Sequence, residues 1–267
     1  MSTLLKLVHV TLFITITYGL ITFYHAFIKF GSGITGTNHP LMILTFLTFW
    51  GQIIYTFYYF WVVMVDMVDL FGLKSSAPNL YQITLKARDS TFRSLVFPVG
   101  LIVSILFWGL YVYDRNFIYP PTTEAVYPLG LNHIQHTIPA FAAIFEMMLV
   151  NHQYHHQLST GTTTEPSTAN VYSDVVNLIS FLLFYMSLFL ASKVYLGRWP
   201  YPFLGVIPVY SKVIFVFSSC CFFVSIYTIG RMIAFKRWGG KSEFPQPARI
   251  RRNINTFTTT IKSNKLD

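Results

Sequence analysis

Apolar residues in this chain run in long blocks and do not alternate with polar ones. The blocks are Leu4–Phe27, Leu41–Val65, Ser94–Tyr113, Leu131–Val150, Val175–Leu196 and Lys212–Phe235. Each is close to the ~20 residues that an α-helix needs to cross a hydrocarbon layer ~30 Å thick. Inside lipid every backbone N–H and C=O must be paired within the protein, so such blocks predict helices and not exposed strands. The connections carry turn chemistry. Gly31, Gly33, Gly36 and Pro40 punctuate the first, Pro120, Pro121 and Pro128 the third, and Gly197, Pro200, Pro202 and Pro208 the fifth. The Ser/Thr/Gly stretch from Ser159 to Thr168 predicts an exposed loop. The pattern predicts an all-α polytopic membrane bundle of about six transmembrane helices. Residues 1–239 form its single domain, and the polar, basic tail 240–267, with Pro245 and Pro247, is expected to be disordered.

Composition supports the membrane reading. Hydrophobic residues make up 53% of the 267-residue chain and charged ones 11%, against ~25% charged in soluble domains. The formal net charge of +9 raises the question of nucleic acid. No apolar block carries a basic stripe, however, and much of the charge follows Arg231 in one tail. The expected contacts are therefore the bilayer and a lipid substrate, with no nucleic acid. Lys6, then Lys74, Lys86, Arg88 and Arg93, then the tail gather on one side of a six-helix arrangement. Lys29, Arg115, Arg198 and Lys212 lie on the other. The positive-inside rule then puts both termini in the cytosol. The first block is long for a cleaved signal and no A-x-A-like site follows it, so it is expected to stay as a helix. Adjacent Cys220 and Cys221 point in different directions on a helix, which disfavours a disulfide between them. The expected location is the endoplasmic reticulum or the plasma membrane.

Orientation turns the blocks into a depth scale. Thr45 on the second block and His136 on the fourth each lie about one to two turns below the same non-cytosolic face. A hydroxyl and an imidazole at one depth can act as nucleophile and base. Thr45, Thr48 and Gln52 fall on one face if the second helix is regular, as do His133 and His136 on the fourth. Asn132 adjoins them, and Asp114 with Arg115 closes the third helix on the same side. Ordinary roles exist for all of these: a membrane threonine commonly bonds its own i−4 carbonyl or a neighbouring helix. His136 stands out because ionisable residues within a span are functional candidates by default. Glu146 is another, but it lies ~15 Å deeper on the same helix.

His133-Ile-Gln-His136 and His152-Gln-Tyr-His155-His156 also have the look of histidine boxes in membrane di-iron enzymes. Sixteen residues separate His136 from His152, ~24 Å along a continuous helix. Ligands of one metal lie ~2.0–2.2 Å from it, so a joint site is opposed. A metal at the second box alone stays open.

Several ordered stretches carry a family resemblance. They are Leu44-Thr45-Phe46 with Gln52; Phe97-Pro98-Val99-Gly100, Phe107-Trp108, Tyr113-Asp114-Arg115 and Ile118-Tyr119-Pro120; Leu131-Asn132-His133 with His136-Thr137 and Glu146-Met147; and His152-Gln153-Tyr154 with Tyr201-Pro202-Phe203-Leu204. In order and spacing they resemble the androgen-induced protein family, from the second helix through the sixth. The resemblance implies a membrane hydrolase of fatty acid esters of hydroxy fatty acids, with Thr45 as nucleophile, His136 as base and no cofactor. Where the family pattern implies an acidic residue, this chain has Thr48. Asn132 or backbone N–H groups could hold the oxyanion, Asp114 orient an imidazole, and Arg115 clamp a substrate carboxylate. His133 and Gln52 complete the candidate set. The other classes are a non-enzymatic membrane regulator or lipid-binding scaffold, and a histidine-box lipid oxidase.

Overall fold

The computed structural model describes residues 2–35, 39–152, 156–157, 164–165, 168–201 and 203–238. The predicted tail, 240–267, lies outside them, as does His155 of the second histidine box. The long helices are α1 (Thr3–Thr35), α2 (Leu47–Leu70), α3 (Pro78–Thr91) running on into α4 (Phe97–Asp114), α8 (Thr168–Tyr195) and α10 (Val209–Trp238). Between α4 and α8 lie α5 (Pro121–Val126), α6 (Leu129–His136) and α7 (Ile138–Leu149), and α9 (Phe203–Val206) precedes α10. Much of the predicted 159–168 loop is outside the described residues. Its described part includes the two-residue strand β2 (Thr164–Glu165), which pairs antiparallel with β1 (His156–Gln157) just before the loop.

Among the described residues five helical stretches are long and apolar enough to cross a bilayer: Thr3–Phe30, Leu47–Leu70, Pro78–Phe117, Val171–Tyr195 and Val209–Trp238. The fourth apolar block is also helical but is divided between α6 and α7. Large apolar side chains such as Ile14, Phe57, Phe141, Leu183 and Phe217 point outwards. On a soluble protein so much exposed apolar surface is rare; on a bundle it is the face that meets acyl chains. The core between the helices is built from Tyr55, Tyr59, Phe92, Phe97, Ile102 and Met147.

Two elements differ from the sequence pattern because of an internal proline. The third helix starts at Pro78, well before the apolar block, and passes through a π-helical turn at Phe92–Val96. Pro98 lacks an N–H, and its ring would crowd the carbonyl of Ser94. The widened turn accommodates that within an unbroken rod. The fourth block, expected to be one helix, breaks at Thr137, which has φ −112° and ψ −52°. Pro139 would crowd the carbonyl of Gln135 and cannot donate to it. Side chains of other helices bond carbonyls on both sides of the break. Trp108 Nε1 donates to His136 O at 3.2 Å, and Tyr55 Oη donates to Pro139 O at 2.9 Å. Non-helical backbone at membrane depth survives only where protein covers it in this way.

Candidate functional site

The break in the fourth block fixes the imidazole of His136. The residue ends α6 and is buried. Its ring stacks on Phe107 of α4, with centroids 3.7 Å apart. Nδ1 lies 3.1 Å from Asn132 O. A carbonyl can only accept, so in the neutral ring Nδ1 carries the hydrogen and Nε2 presents its lone pair. Nε2 lies 3.1 Å from Thr48 Oγ1, which therefore donates to it. A hydroxyl and a correctly tautomeric imidazole thus meet, from α2 and α6.

The hydroxyl on the imidazole is that of Thr48. Thr45 Oγ1 donates to Met42 O at 2.7 Å. The regular-helix expectation that Thr45, Thr48 and Gln52 share a face does not hold. Residues Pro40–Thr45 form a 3-10 turn, Phe46 is extended at φ −87° and ψ 124°, and α2 begins only at Leu47. The 3.6-residue period does not run through an extended residue. Gln52 is buried and turned toward α6, with Nε2 3.4 Å from Ile134 O.

Thr48 and His136 line a cavity of about 420 Å³ together with Asn132, Gln135, Tyr119, Tyr201, Lys193 and Arg198. Phe23, Phe46, Phe107 and Trp199 supply apolar wall. A second, smaller and mostly apolar cavity shares Thr48, Phe107, Ile118 and Tyr201 with it and is lined further by Phe189, Phe215 and Cys220, between α4, α8 and α10. A polar cavity thus lies beside a mostly apolar one, the arrangement that suits an amphiphile. Burial pushes the Tyr119 phenol up to about 12 and raises that of Tyr201 as well, so both remain neutral donors near pH 7. Tyr119 Oη donates to Tyr127 O, and Tyr201 Oη faces Tyr185 Oη at 3.3 Å.

The supporting residues expected from sequence divide. Asn132 is buried, lines the cavity, and its amide nitrogen has no partner among the described residues. His133 is exposed; it stacks on Trp108 and its Nδ1 bonds the Thr137 hydroxyl at 2.8 Å. Asp114 accepts from Asn116 N at 2.9 Å. The position on His136 Nδ1 expected for it is held by Asn132 O. Arg115 Nη2 is paired with Glu124 Oε2 at 2.5 Å, and the cations that line the cavity are Lys193 and Arg198. Gln135 also lines it and was not singled out by sequence. Its spacing, i+3 from Asn132 and i−1 from His136, was the available signal.

A second polar cluster occupies the opposite end of the bundle. His9 Nδ1 lies 2.7 Å from Asp66 and its Nε2 3.0 Å from Glu146. Tyr58 Oη donates to Glu146 at 2.9 Å. His152 reaches Asp89 at 3.1 Å and stacks on Phe92. Arg93 pairs with Asp174 at 2.7 Å. Thr48 and Asp66 start and end α2, ~27 Å apart along its axis. His136 and His152 accordingly belong to separate clusters. Among the described residues no group of three or more His, Cys, Asp or Glu side chains is arranged to hold a metal ion.

Comparison with known proteins adds a family. The family model described as FAR-17a/AIG1-like protein matches residues 5–234. The human androgen-dependent TFPI-regulating protein is 30% identical over 165 residues, covering 62% of this chain and 64% of that protein. The human androgen-induced gene 1 protein is 28% identical over 197 residues, 72% of this chain and 76% of the relative. A Schizosaccharomyces pombe protein named as a UPF0641 membrane protein is 25% identical over 151 residues, 57% of this chain and 62% of its own length. The aligned region thus spans about 64% of the human TFPI-regulating relative. No solved structure matches.

Proposed function

The chain belongs to the FAR-17a/AIG1-like protein family, and from that premise and the site geometry we propose that it is a membrane-embedded hydrolase of fatty acid esters of hydroxy fatty acids. The observation that carries this reading is the threonine hydroxyl held 3.1 Å from a buried imidazole nitrogen, in a polar cavity beside a mostly apolar one. Unassisted, a threonine hydroxyl is a weak nucleophile at neutral pH, and an adjacent base activates it.

The steps follow from the atoms present. His136 Nε2 takes the hydroxyl proton as the threonine oxygen bonds to the ester carbonyl carbon. The carbonyl π electrons move onto oxygen. When that tetrahedral centre collapses, the hydroxy-acid oxygen leaves with the proton held on Nε2, and an acyl-threonine remains. Water attacks the acyl carbon with the same imidazole as base, and the fatty acid is released. Asn132, which lines the cavity, would offer its Nδ2 as a donor to the developing oxyanion. Lys193 and Arg198, which line the cavity, would offer positive charge to the substrate carboxylate, whereas Arg115 does not line it. The apolar cavity takes an acyl chain.

Two threonines can hold the nucleophile's place, and a different observation favours each. The hydrogen bond to His136 favours Thr48. The Leu44-Thr45-Phe46 match favours Thr45, whose hydroxyl would first leave Met42 O by a χ1 rotation. Catalytic hydrogen bonds are often formed only once substrate binds. The experiment uses the full chain purified in detergent with a branched fatty ester as substrate. Loss of turnover in His136→Ala is expected under both readings. Thr48→Val and Thr45→Val, tested singly for turnover and for covalent labelling by a fluorophosphonate, assign the nucleophile to the variant that loses both. Near wild-type hydrolysis by His136→Ala would end the proposal.

A further inference from the structure

One turn of α6 presents three polar side chains to the same cavity: Asn132, Gln135 and His136, at i, i+3 and i+4. His136 is engaged at both ring nitrogens. Asn132 and Gln135 are different. Each is only 2% exposed, and the side-chain amide nitrogen of each lacks a hydrogen-bond partner among the described residues. Of the buried side chains with an unpartnered polar atom, these two line the cavity; Gln52, Asp66, Asp89 and His152 do not. Buried donors are nearly always satisfied, and one left open asks for an acceptor that is not part of the chain. Two open donors on adjacent positions of one helical face, beside the reacting hydroxyl and imidazole, ask for the same acceptor.

We infer that Gln135 is a catalytic residue, whose Nε2 forms an oxyanion hole with Asn132 Nδ2. The inference rests on the hydrolase reading above and adds the group that receives the charge. As the threonine oxygen bonds to the carbonyl carbon, the C=O π pair becomes a full charge on oxygen. Both amide N–H groups donate to that oxygen, and release it when the C=O bond reforms and the leaving oxygen departs. Donors that are already buried and unpartnered need little reorganisation at the moment of reaction, which is why such groups act on the transition state more than on the bound ester. Pro139 contributes indirectly. By ending α6 it fixes the rotation of the turn that carries both amides.

The test compares the wild type with Gln135→Met, which keeps the length of the side chain and removes the donor, and Gln135→Glu, which keeps the shape and places a carboxylate at the oxyanion. Folding of each is checked by thermal unfolding in detergent. The expected result is a kcat lower by roughly 10²–10³-fold in Gln135→Met with KM little changed, as for loss of one oxyanion donor elsewhere. Gln135→Glu should lose at least as much. A trifluoromethyl ketone, which becomes a tetrahedral oxyanion on the enzyme, should lose affinity in parallel with kcat. A non-hydrolysable ether analogue of the ester should bind as before. Turnover by the wild type with Gln135→Met and Gln135→Glu both within a few-fold in kcat would overturn this inference and leave the hydrolase reading standing. Absence of turnover by the wild type would overturn both. Equal loss of ether and ketone binding would make Gln135 a substrate-binding group and overturn the oxyanion assignment.

Discussion

Gly100 on α4 is where the fold leaves least room. A Cβ there would lie 1.8 Å from Tyr55 Oη, 2.7 Å from its Cζ and 3.1 Å from Pro139 O. Ordinary contact needs ~3.5 Å, so the Tyr55 hydroxyl would have to retreat by about 1.7 Å. Tyr55 has no exposed surface into which to move. Its hydroxyl lies 2.8 Å from Val96 O and 2.9 Å from Pro139 O, and so ties α2 to the π turn and to the break beside His136. Gly100→Ala therefore adds overpacking, ~1–3 kcal/mol, to the loss of the one hydroxyl proton shared between those two carbonyls, ~0.5–1.5 kcal/mol. A total of about 3 kcal/mol corresponds to a melting temperature lower by roughly 6–12 °C in a protein of this size. Intrinsic-fluorescence melting in detergent measures it. The reasoning also fixes a cycle. Tyr55→Phe removes the nearest atom and the shared hydrogen bond at once, so adding Gly100→Ala to it should cost less than in the wild type, by at least ~1 kcal/mol of coupling. A Gly100→Ala melting temperature within a couple of degrees of wild type, or strict additivity with Tyr55→Phe, would refute the clash.

Other substitutions probe the two ends of the bundle. Glu146→Ala removes the carboxylate that faces both His9 and Tyr58 and should destabilise by ~3–5 kcal/mol, the cost of leaving buried polar partners open; a loss below ~1 kcal/mol in thermal unfolding would mean water takes its place. Arg93→Met strips Asp174 of its buried cation and should cost a similar ~3–5 kcal/mol, with Asp174→Asn in the same background recovering part of it, a recovery that thermal unfolding can detect or exclude. Trp108→Phe loses the donor to His136 O and the Thr137 hydroxyl, so stability should fall by ~0.5–1.5 kcal/mol while kcat falls more than KM rises. An unchanged kcat would show that the carbonyl of His136 holds its place without that bond.

Much of this protein was legible in one dimension. The long uncharged blocks determined an all-α membrane bundle, because lipid leaves the backbone no partners but its own. Counting residues from the turns placed His136 at the depth of the second helix's first turn, and put Glu146 at the other end. The rise per residue is fixed, so depth can be read from sequence number. Pro98 and Pro139 stood in the sequence as well, but the blocks that hold them were expected to be regular helices, and the π turn and the break appeared only in the structure.

Direction around a helix could not be read in the same way. Whether Thr45 or Thr48 meets His136 depends on where the 3-10 turn stops and α2 starts, and the extended Phe46 between them resets the period. His133 and Gln135 flank the same turn, yet only the second faces the cavity, because the break at Thr137 sets how α6 is rotated. Arg115 and Glu124 found each other across the connection after α4, which left the cavity to Lys193 and Arg198 from more distant chain. Burial depth follows from local composition, which each segment carries alone. Which side chain meets which depends on the phase of several helices at once, and that phase is set only when the helices pack.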